Sequence, residues 1–305
     1  MNQQQLIESL KKTYFYKWLR HNLYETKISD YHQTILDNAK ASDYIIELIQ
    51  NDKPFMVSRL GSIELKVLKT FYKKRKYTNK LRYSIKNNAG VFPTDNNTLD
   101  EFAKLYFKSS SNIDLLGIWF NPFEDVVANK FCPNAQLTEL RNLEPYFSSN
   151  PWSYYLKGKK VLVIHPFTKS IHAQYKKRVK LFQDKNILPE FNLITLPAIQ
   201  SLGGNSEFET WFNALDYMQN EIKKTDFDIA IIGAGAYGLP LASYIKDIGK
   251  KSIHLGGSTQ MLFGIYGRRW KIDPGFQHLI NDNWIKPLES EKPPNAALVE
   301  NACYW

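Results

Sequence analysis

Short apolar runs alternate with glycine turns in the C-terminal part of the chain. Phe227–Ile232 is an apolar run with β-branched residues, which is typical of a strand buried on both faces. The glycine turn Gly233–Gly238 follows at once, and apolar residues then repeat at helical spacing up to Gly249. Ser252–Leu255 predicts a second strand. The pattern predicts a strand–helix–strand unit with its glycine turns at the carboxyl ends of parallel strands.

The same alternation extends towards the N-terminus. Earlier strands are predicted at Phe55–Ser58, Ile113–Trp119, Val161–Ile164 and Phe191–Leu196. A serine with a glutamate three positions on, Ser206–Glu209, predicts the start of the helix that precedes Phe227. Residues 124–150 predict short helices and loops. This order indicates an α/β protein with a doubly wound, mostly parallel, Rossmann-like sheet.

The two ends of the chain fall outside this pattern. Residues 3–24 and a stretch from about Asp30 to Gln50 have apolar residues at helical spacing, so residues 1–50 are expected to form an N-terminal helical extension. Residues 51–285 are expected to form the α/β domain. Residues 286–305 are rich in proline and end in aromatic residues, and we expect this tail to pack on the domain.

Basic residues dominate the charge. The 305 residues carry a formal net charge of +10, which favours anionic partners such as nucleotides, phosphorylated glycans or an acidic membrane surface. No acidic residue occurs between Leu65 and Thr94. The basic residues of that window are Lys66, Lys69, Lys73, Lys74, Arg75, Lys76, Lys80, Arg82 and Lys86. They predict either a solvated helix end or a surface that faces an anion. No named nucleic-acid module is present, which argues against nucleic acid.

The sequence carries no sign of export or membrane insertion. The first residues lack a basic segment leading into an apolar run, and no stretch reaches the ~20 apolar residues that span a bilayer. The two cysteines, Cys132 and Cys303, cannot form a disulfide framework. We therefore expect a cytoplasmic protein. A peripheral contact with the inner membrane face stays open, because the helix predicted at residues 3–24 is basic and aromatic.

Several common catalytic sites are excluded by their spacing. The two cysteines are far apart and no histidine pair has ligand spacing, which argues against zinc. There is no Walker loop and no G-x-S-x-G elbow. Gly233-x-Gly235-x-x-Gly238 does match a dinucleotide fingerprint, but the following strand ends at His254-Leu255 with no carboxylate to hold a ribose. A dinucleotide-dependent oxidoreductase is thus an alternative, beside a purely structural turn and a phosphate or sugar-nucleotide contact.

A second strand–glycine–helix junction lies early in the chain. Phe55–Ser58 runs into Arg59-Leu60-Gly61-Ser62-Ile63-Glu64, where a helix is expected to begin at about Ser62. An arginine and a helix N-terminus at the end of a strand can hold a phosphate, and Glu64 can bind a cation or a hydroxyl. The alternative is a structural pair between Arg59 and Glu64.

With both junctions in view, the sequence resembles the glycosyltransferases of the GT-D fold, a group once classed as a domain of unknown function. The residues that carry the resemblance are RLGSIE after the first strand and FDIAIIGAGAYGLPLASYIKDIGKKSIHLGG late in the chain. The late segment also resembles proteins found with bacterial surface-polysaccharide genes. The resemblance implies transfer of a sugar from a nucleotide-sugar donor to a bacterial surface glycan or a lipid-linked acceptor. A UDP-sugar is the preferred candidate for the donor.

The resemblance also implies roles for particular residues. The family's Asp-x-Glu helps to bind a divalent metal, Mn²⁺ or Mg²⁺, and the nucleotide diphosphate. Here Ser62 stands at the aspartate position, which leaves Glu64 as the metal ligand and makes metal dependence doubtful. Donor contacts are expected from Arg59, Gly61, Ser62, Gly233, Gly235, Tyr237, Gly238, His254, Gly256, Gln260 and Arg268. The candidates for the catalytic base are Glu64, Asp95 and His165. A non-catalytic basic protein that binds glycan or membrane is a further alternative.

Overall fold

One parallel sheet of eight strands lies at the centre of the protein. The structure, a computed structural model, describes residues 26–201, 206–293, 296 and 303–305, so the helix expected at residues 3–24 lies outside the described residues. The strands are β1 Ile35–Leu36, β2 Phe55–Arg59, β3 Leu115–Ile118, β4 Gln136–Glu139, β5 Lys160–His165, β6 Asn192–Pro197, β7 Ile229–Ile232 and β8 Lys251–His254. Their order across the sheet is β1-β4-β3-β2-β8-β7-β5-β6, and all neighbouring strands in it are parallel.

Helices connect the strands and cover both faces of the sheet. They are α1 Asn38–Gln50, α2 Ser62–Tyr72, α3 Asn79–Ala89, α4 Asn96–Ser110, α5 Glu124–Phe131, α6 Thr168–Tyr175, α7 Trp211–Lys224, α8 Gly238–Asp247, α9 Ser258–Leu262, α10 Arg268–Lys271 and α11 Pro274–Gln277. Short 3₁₀ turns lie between several of them. Among the described residues, no helix is both long and apolar enough to cross a bilayer.

The two faces of the sheet bury two separate apolar cores. Alternate residues of a strand point to opposite faces, so Met56 joins one core while Phe55 and Val57 join the other. The core on the Met56 side is built with α2, α3, α4, α5, α7 and α8, and the core on the Phe55 side with α1, α6, α9, α10 and α11. Burial on both faces explains the continuous apolar runs of the strands. The predicted doubly wound α/β class is confirmed.

The direction of winding changes in the middle of the sheet. From β2 the chain moves outward through β3 to β4, whereas β8 returns to lie on the other side of β2. β8 in turn pairs with β7, and β7 pairs with β5. In open parallel sheets the crevice at such a reversal lies outside the carboxyl ends of the strands and receives the ligand. The two glycine junctions of the sequence both end at this crevice.

Several local expectations are corrected by the structure. β4 lies inside the segment expected to hold helices and loops, because its short Gln-Leu-Thr-Glu sequence carries little apolar signal. α7 begins at Trp211 with Thr210 as its N-cap, and the Ser206 hydroxyl instead accepts from the N–H of Phe208 in a local turn. The second N-terminal helix begins at Asn38 rather than near Asp30. Part of the expected N-terminal extension is therefore integral to the sheet layers, since β1 pairs with β4.

Candidate functional site

A cavity of about 150 Å³ lies where the carboxyl ends of β2, β5, β7 and β8 meet. Many of the residues expected from the sequence line it. These are Arg59, Gly61, Ser62, Glu64, His165, Gly233, Gly235, Gly256 and Gln260. The two glycine junctions, which are almost 170 positions apart in the sequence, therefore form walls of one cavity, because β2 and β7 both flank β8.

Arg59 and Trp119 form one wall of this cavity. The guanidinium carbon of Arg59 lies 4.8 Å from the centroid of the Trp119 ring. The indole is itself fixed, because its Nε1–H donates to the Leu60 carbonyl at 3.0 Å. A positively charged group thus faces the cavity in a defined position.

The N-terminus of α2 forms the floor beside Arg59. Gly61 is the N-cap, Ser62 is the first helical residue, and the first amides of a helix attract anions. The Glu64 carboxylate folds back over Gly61, where an added Cβ would lie 1.9 Å from its Oε2 atom. Only glycine leaves room for this arrangement. The junction therefore brings a buried carboxylate and a helix N-terminus to the same wall.

The late glycine turns form the opposite wall. An added Cβ on Gly233 would lie 2.6 Å from the His165 ring and 2.7 Å from the Gly256 carbonyl oxygen, so β7, β5 and β8 approach closely here. Gly235 and Gly256 have φ values of +52° and +61°, in the left-handed region that glycine adopts most readily. These turns keep side chains out of the cavity and leave backbone groups at its surface.

His165 lies at the end of β5 with its ring in the cavity wall. Its Nδ1 accepts a hydrogen bond from the backbone N–H of Phe167 at 3.0 Å. Burial lowers the pKa of the imidazole to about 3, so the ring is neutral at physiological pH. With Nδ1 occupied as an acceptor, the proton resides on Nε2. His165 is therefore arranged as a hydrogen-bond donor rather than as the catalytic base expected from the sequence.

Three other expected donor contacts lie behind the cavity and do not line it. His254 is buried between two elements: its Nδ1 bonds the Ser58 hydroxyl at 3.0 Å, and its Nε2 packs against Gly238. Burial and the nearby Arg59 lower the pKa of His254 to about 3. Tyr237 stacks on Trp211 at 4.8 Å, inside the apolar core. In this structure these residues support the cavity from behind.

Asp95 and Arg268 also do not reach the cavity. The Asp95 carboxylate caps α4 by accepting from the Thr98 N–H at 3.0 Å, which lowers the pKa of Asp95. Asp95 is therefore an exposed helix cap and is not placed to act as the base expected from the sequence. Arg268 is exposed and outside the lining, whereas its neighbour Arg269 lines the cavity and donates to the Tyr304 hydroxyl at 3.2 Å.

Some residues of the cavity could not be identified from the sequence. They are Trp119, Phe167, Gln200, Tyr304 and Trp305. Most come from segments without a glycine or charge motif. Among these residues the sequence indicated only Tyr304 and Trp305, because they belong to the aromatic tail that is expected to pack on the domain. Both pack against the core on the Phe55 side of the sheet.

Glu124 holds the Trp119 loop in place. Its Oε2 accepts from the backbone N–H groups of Trp119 and Asn121 at 3.0 and 3.1 Å. The loop needs such support because Phe120 and Phe123 both have positive φ. Burial raises the pKa of Glu124 to about 7, against the opposing effect of those hydrogen bonds and of Arg59. Glu124 does not line this cavity or the larger cavity beside it. It therefore positions Trp119 and does not touch a ligand.

The lining fits a divalent cation only in company with a phosphate ligand. Glu64 is the one carboxylate among the described residues that line the cavity, and no group of three His, Cys, Asp or Glu occurs in the described part of the chain. Mg²⁺ is commonly held by one or two carboxylates together with substrate phosphates. Glu64 and a diphosphate would meet that requirement, and the ion would neutralise charge on the phosphate oxygens.

Comparisons with known proteins gave few matches. No family model matches the sequence. The lysine-specific histone demethylase 1B homolog of Caenorhabditis elegans is 26% identical over 147 residues, which cover 44% of this chain and 17% of that protein. The chain therefore spans less than a fifth of the length of that relative, and the identity falls short of showing a shared family.

Two solved structures of the domain of unknown function 1792 are also similar. Both are 12% identical to this chain. One superposes with a TM-score of 0.43 over 74% of this chain and 79% of the other, and the second with 0.35 over 72% and 82%. The second is described as having a distinct glycosyltransferase fold, which is the kind of fold that the sequence resembles. At these TM-scores the doubly wound fold rests on the chain's own strand order.

Proposed function

We propose that this protein is a glycosyltransferase that transfers a sugar from a nucleotide-sugar donor to a bacterial surface glycan or a lipid-linked acceptor. A UDP-sugar is the preferred candidate for the donor. One observation carries the proposal. The Arg59 guanidinium, stacked on Trp119, faces a cavity that also holds the N-terminus of α2 and the glycine turns of β7 and β8. A cation, free amides and side-chain-free turns together suit a diphosphate.

Sugar transfer requires this kind of electrostatic support. As the bond between the sugar and the diphosphate breaks, negative charge develops on the departing phosphate oxygen. Fixed donors and cations at that point lower the barrier more than they stabilise the bound donor. Arg59 supplies a rigid guanidinium that can bind a phosphate through two N–H groups. Arg269 lies on the same wall and adds a second positive charge.

The remaining lining residues have parts in binding the donor. The Glu64 carboxylate and the Nε2–H of His165 provide an acceptor and a donor for sugar hydroxyls, and Glu64 would also hold a divalent cation beside the diphosphate. The rings of Tyr304 and Trp305 offer apolar faces for the nucleotide base or the sugar ring. The mixture of one carboxylate, two arginines and several aromatic rings matches a ligand that is partly anionic and partly apolar.

The basic surface beside the cavity bears on the acceptor. Ser62 begins α2 and Asn88 lies near the end of α3, and both line the cavity. Most of the window from Leu65 to Thr94 lies between them, and the window exposes most of its lysines together with Tyr72 and Tyr83. Exposed cations and aromatic rings next to a cavity favour an acceptor that carries phosphate or lies at an anionic membrane. This supports a lipid-linked acceptor and peripheral membrane contact as parts of the proposal.

The alternatives make different use of the same residues. A dinucleotide-dependent oxidoreductase would use the Gly233–Gly238 turn, but the end of β8 presents the buried, neutral His254 where such enzymes have a carboxylate for the ribose. A non-catalytic binder would use the basic surface alone. It would not need Arg59 and Glu64 placed in one cavity.

The proposal is tested by ligand-dependent thermal stabilisation and by release of the nucleotide. The purified chain is mixed with a panel of UDP-, GDP- and CMP-sugars, with and without Mn²⁺. At least one nucleotide family is expected to raise the melting temperature, and its sugar to be released slowly to water. No stabilisation by any member would contradict the proposal, and a spectral change on titration with NAD or a flavin would favour the oxidoreductase.

A further inference from the structure

A second cavity, of about 440 Å³, adjoins the donor cavity at Arg59, Trp119, Gly257, Arg269 and Tyr304. Its other walls come from the segments after β3 and β4 and from α9 to α11. Because the two cavities share Arg59 and Trp119, a ligand in one would touch the same side chains as a ligand in the other. The other residues of the second cavity have no part in the donor site described above.

Glu144 is the buried carboxylate of this second cavity. The residue is only 6% exposed, although it lines the cavity. Its Oε1 accepts from the Ser258 hydroxyl at 2.5 Å. The Tyr146 hydroxyl lies close enough to lower the pKa of Glu144, but in the described part of the chain neither this hydroxyl nor Oε2 has a partner that meets hydrogen-bonding geometry. A buried carboxylate oxygen without such a partner is costly, so its position in a cavity wall points to a ligand.

We infer that the second cavity binds the acceptor as a sugar, and that Glu144 is the base that takes the proton of the attacking hydroxyl. The inference rests on the proposed donor site. Trp119, Trp270 and Tyr304 offer aromatic faces for the C–H groups of a sugar ring, while Glu139, Arg141 and Asp273 offer charged partners for its hydroxyls. A lining of this kind suits a neutral polyol better than a diphosphate.

The reaction follows from the position of the two cavities. The acceptor O–H bond breaks and its proton passes to the Glu144 carboxylate, which becomes a carboxylic acid. The acceptor oxygen forms the new bond to the anomeric carbon. The bond from that carbon to the diphosphate breaks, and its electron pair leaves with the diphosphate towards Arg59. A single displacement of this kind inverts the configuration at the anomeric carbon.

The ionisation of Glu144 suits this task. Burial raises the pKa of Glu144 to about 7, while Ser258, Tyr146 and Arg141 oppose the rise and Asp273 adds to it. Arg59, Arg269 and Glu139 complete the charged groups among the described residues of the surrounding walls. A base whose pKa lies near the working pH is available in its ionised form and still accepts a proton readily.

The experiment compares donor binding with sugar transfer in the full chain. UDP affinity is measured by calorimetry, and UDP release from the donor panel is measured with water alone and with p-nitrophenyl monosaccharides as acceptors. Glu144→Gln is expected to bind UDP within about twofold of wild type and to lose at least 100-fold in transfer. Glu144→Asp should fall between the two. In Ser258→Ala the ascending limb on the acidic side of the pH–rate profile should move to higher pH, because loss of a hydrogen bond to the ionised carboxylate raises the pKa of Glu144.

Other results would overturn the inference. Transfer by Glu144→Gln within threefold of wild type would exclude Glu144 as the base. A parallel loss of UDP affinity and transfer would give Glu144 a structural role instead. A wild-type protein that binds UDP but transfers to neither water nor any monosaccharide would exclude the cavity as a sugar site. Failure of the proposed function looks different, because the wild type would then bind no donor at all.

Discussion

The guanidinium of Arg59 lies over the indole ring of Trp119, with 4.8 Å between its central carbon and the ring centroid. The two residues come from adjacent strand ends, β2 and β3, so the sheet itself sets their separation. This pair forms the boundary between the donor cavity and the second cavity, since it lines both.

Replacing Trp119 should weaken donor binding without unfolding the protein. Trp119→Ala removes the platform under Arg59, and a cation–π contact with an exposed ring contributes roughly 0.5–1 kcal/mol. We therefore expect the Kd for UDP to rise by roughly two- to fivefold. Trp119→Phe keeps a ring but loses the N–H bond to Leu60, so it should cost less. Calorimetry with UDP measures both. Equal affinity for UDP in wild type and Trp119→Ala would show that the Trp119 ring does not contribute to donor binding.

A methyl group on Gly61 should displace the Glu64 carboxylate. In Gly61→Ala the added Cβ would collide with the Glu64 carboxylate and displace it from the cavity wall, so donor-dependent activity should fall at least tenfold. Gly158→Ala is the matched control. Its Cβ meets nothing within 4 Å, but its φ of +76° is strained for alanine, so it should cost about 1 kcal/mol of stability and no activity. Full activity in Gly61→Ala would show that activity does not depend on the position of the Glu64 carboxylate over Gly61.

The buried Glu124 should make stability depend on pH. An acid whose pKa is higher in the folded than in the unfolded chain binds more protons when folded, so the free energy of unfolding falls as pH rises from about 4.5 to about 7. The full effect is on the order of 3 kcal/mol. Glu124→Gln keeps an oxygen for the N–H groups of Trp119 and Asn121 but cannot ionise. Its denaturant midpoint should decline less than that of wild type between pH 5 and pH 8. Parallel pH profiles would contradict the assignment.

His165 should act as a donor and not as a titrating base. His165→Asn keeps an oxygen that can accept from the Phe167 N–H, but it loses the Nε2–H that we propose as a donor to the bound sugar. We expect kcat/KM to fall by 10- to 100-fold, the loss of one hydrogen bond to a charged or transition-state group. The shape of the pH–rate profile should not change between pH 5 and pH 8, because the pKa of His165 is about 3. If the wild-type pH–rate profile had a limb near neutral pH that the variant lacked, His165 would be the catalytic base after all.

The sequence predicted the sheet and the two walls of the cavity, because both depend on local patterns. Apolar β-branched runs followed by glycine identify buried strands and the close turns after them, and the carboxyl ends of parallel strands meet at one edge. β4 escaped prediction since its four residues carry only two buried side chains. Glu144 lies in the irregular segment after β4, where no periodicity indicates which side chain turns inward.

The remaining differences depend on contacts distant in sequence. His254 and Tyr237 stand beside the glycine turns in sequence, but Ser58 and Trp211 hold them inside the protein. Arg268 and Arg269 are neighbours in the four-residue α10, too short for its spacing to show which one faces the cavity. The stacking of Arg59 on Trp119 depends on the pairing of β2 with β3, which no local pattern contains.

The measurement that tests the central claim most directly is calorimetric titration of UDP and UDP-sugars into wild type, Arg59→Ala and Arg178→Ala. Arg178 is a matched control, because its guanidinium also lies over an aromatic ring, that of Tyr175, but lines no part of the cavity. We predict saturable binding by wild type and Arg178→Ala, and at least tenfold weaker binding by Arg59→Ala. Unchanged affinity in Arg59→Ala, or no binding of any nucleotide by wild type, would contradict the assignment of this cavity to a nucleotide-sugar donor.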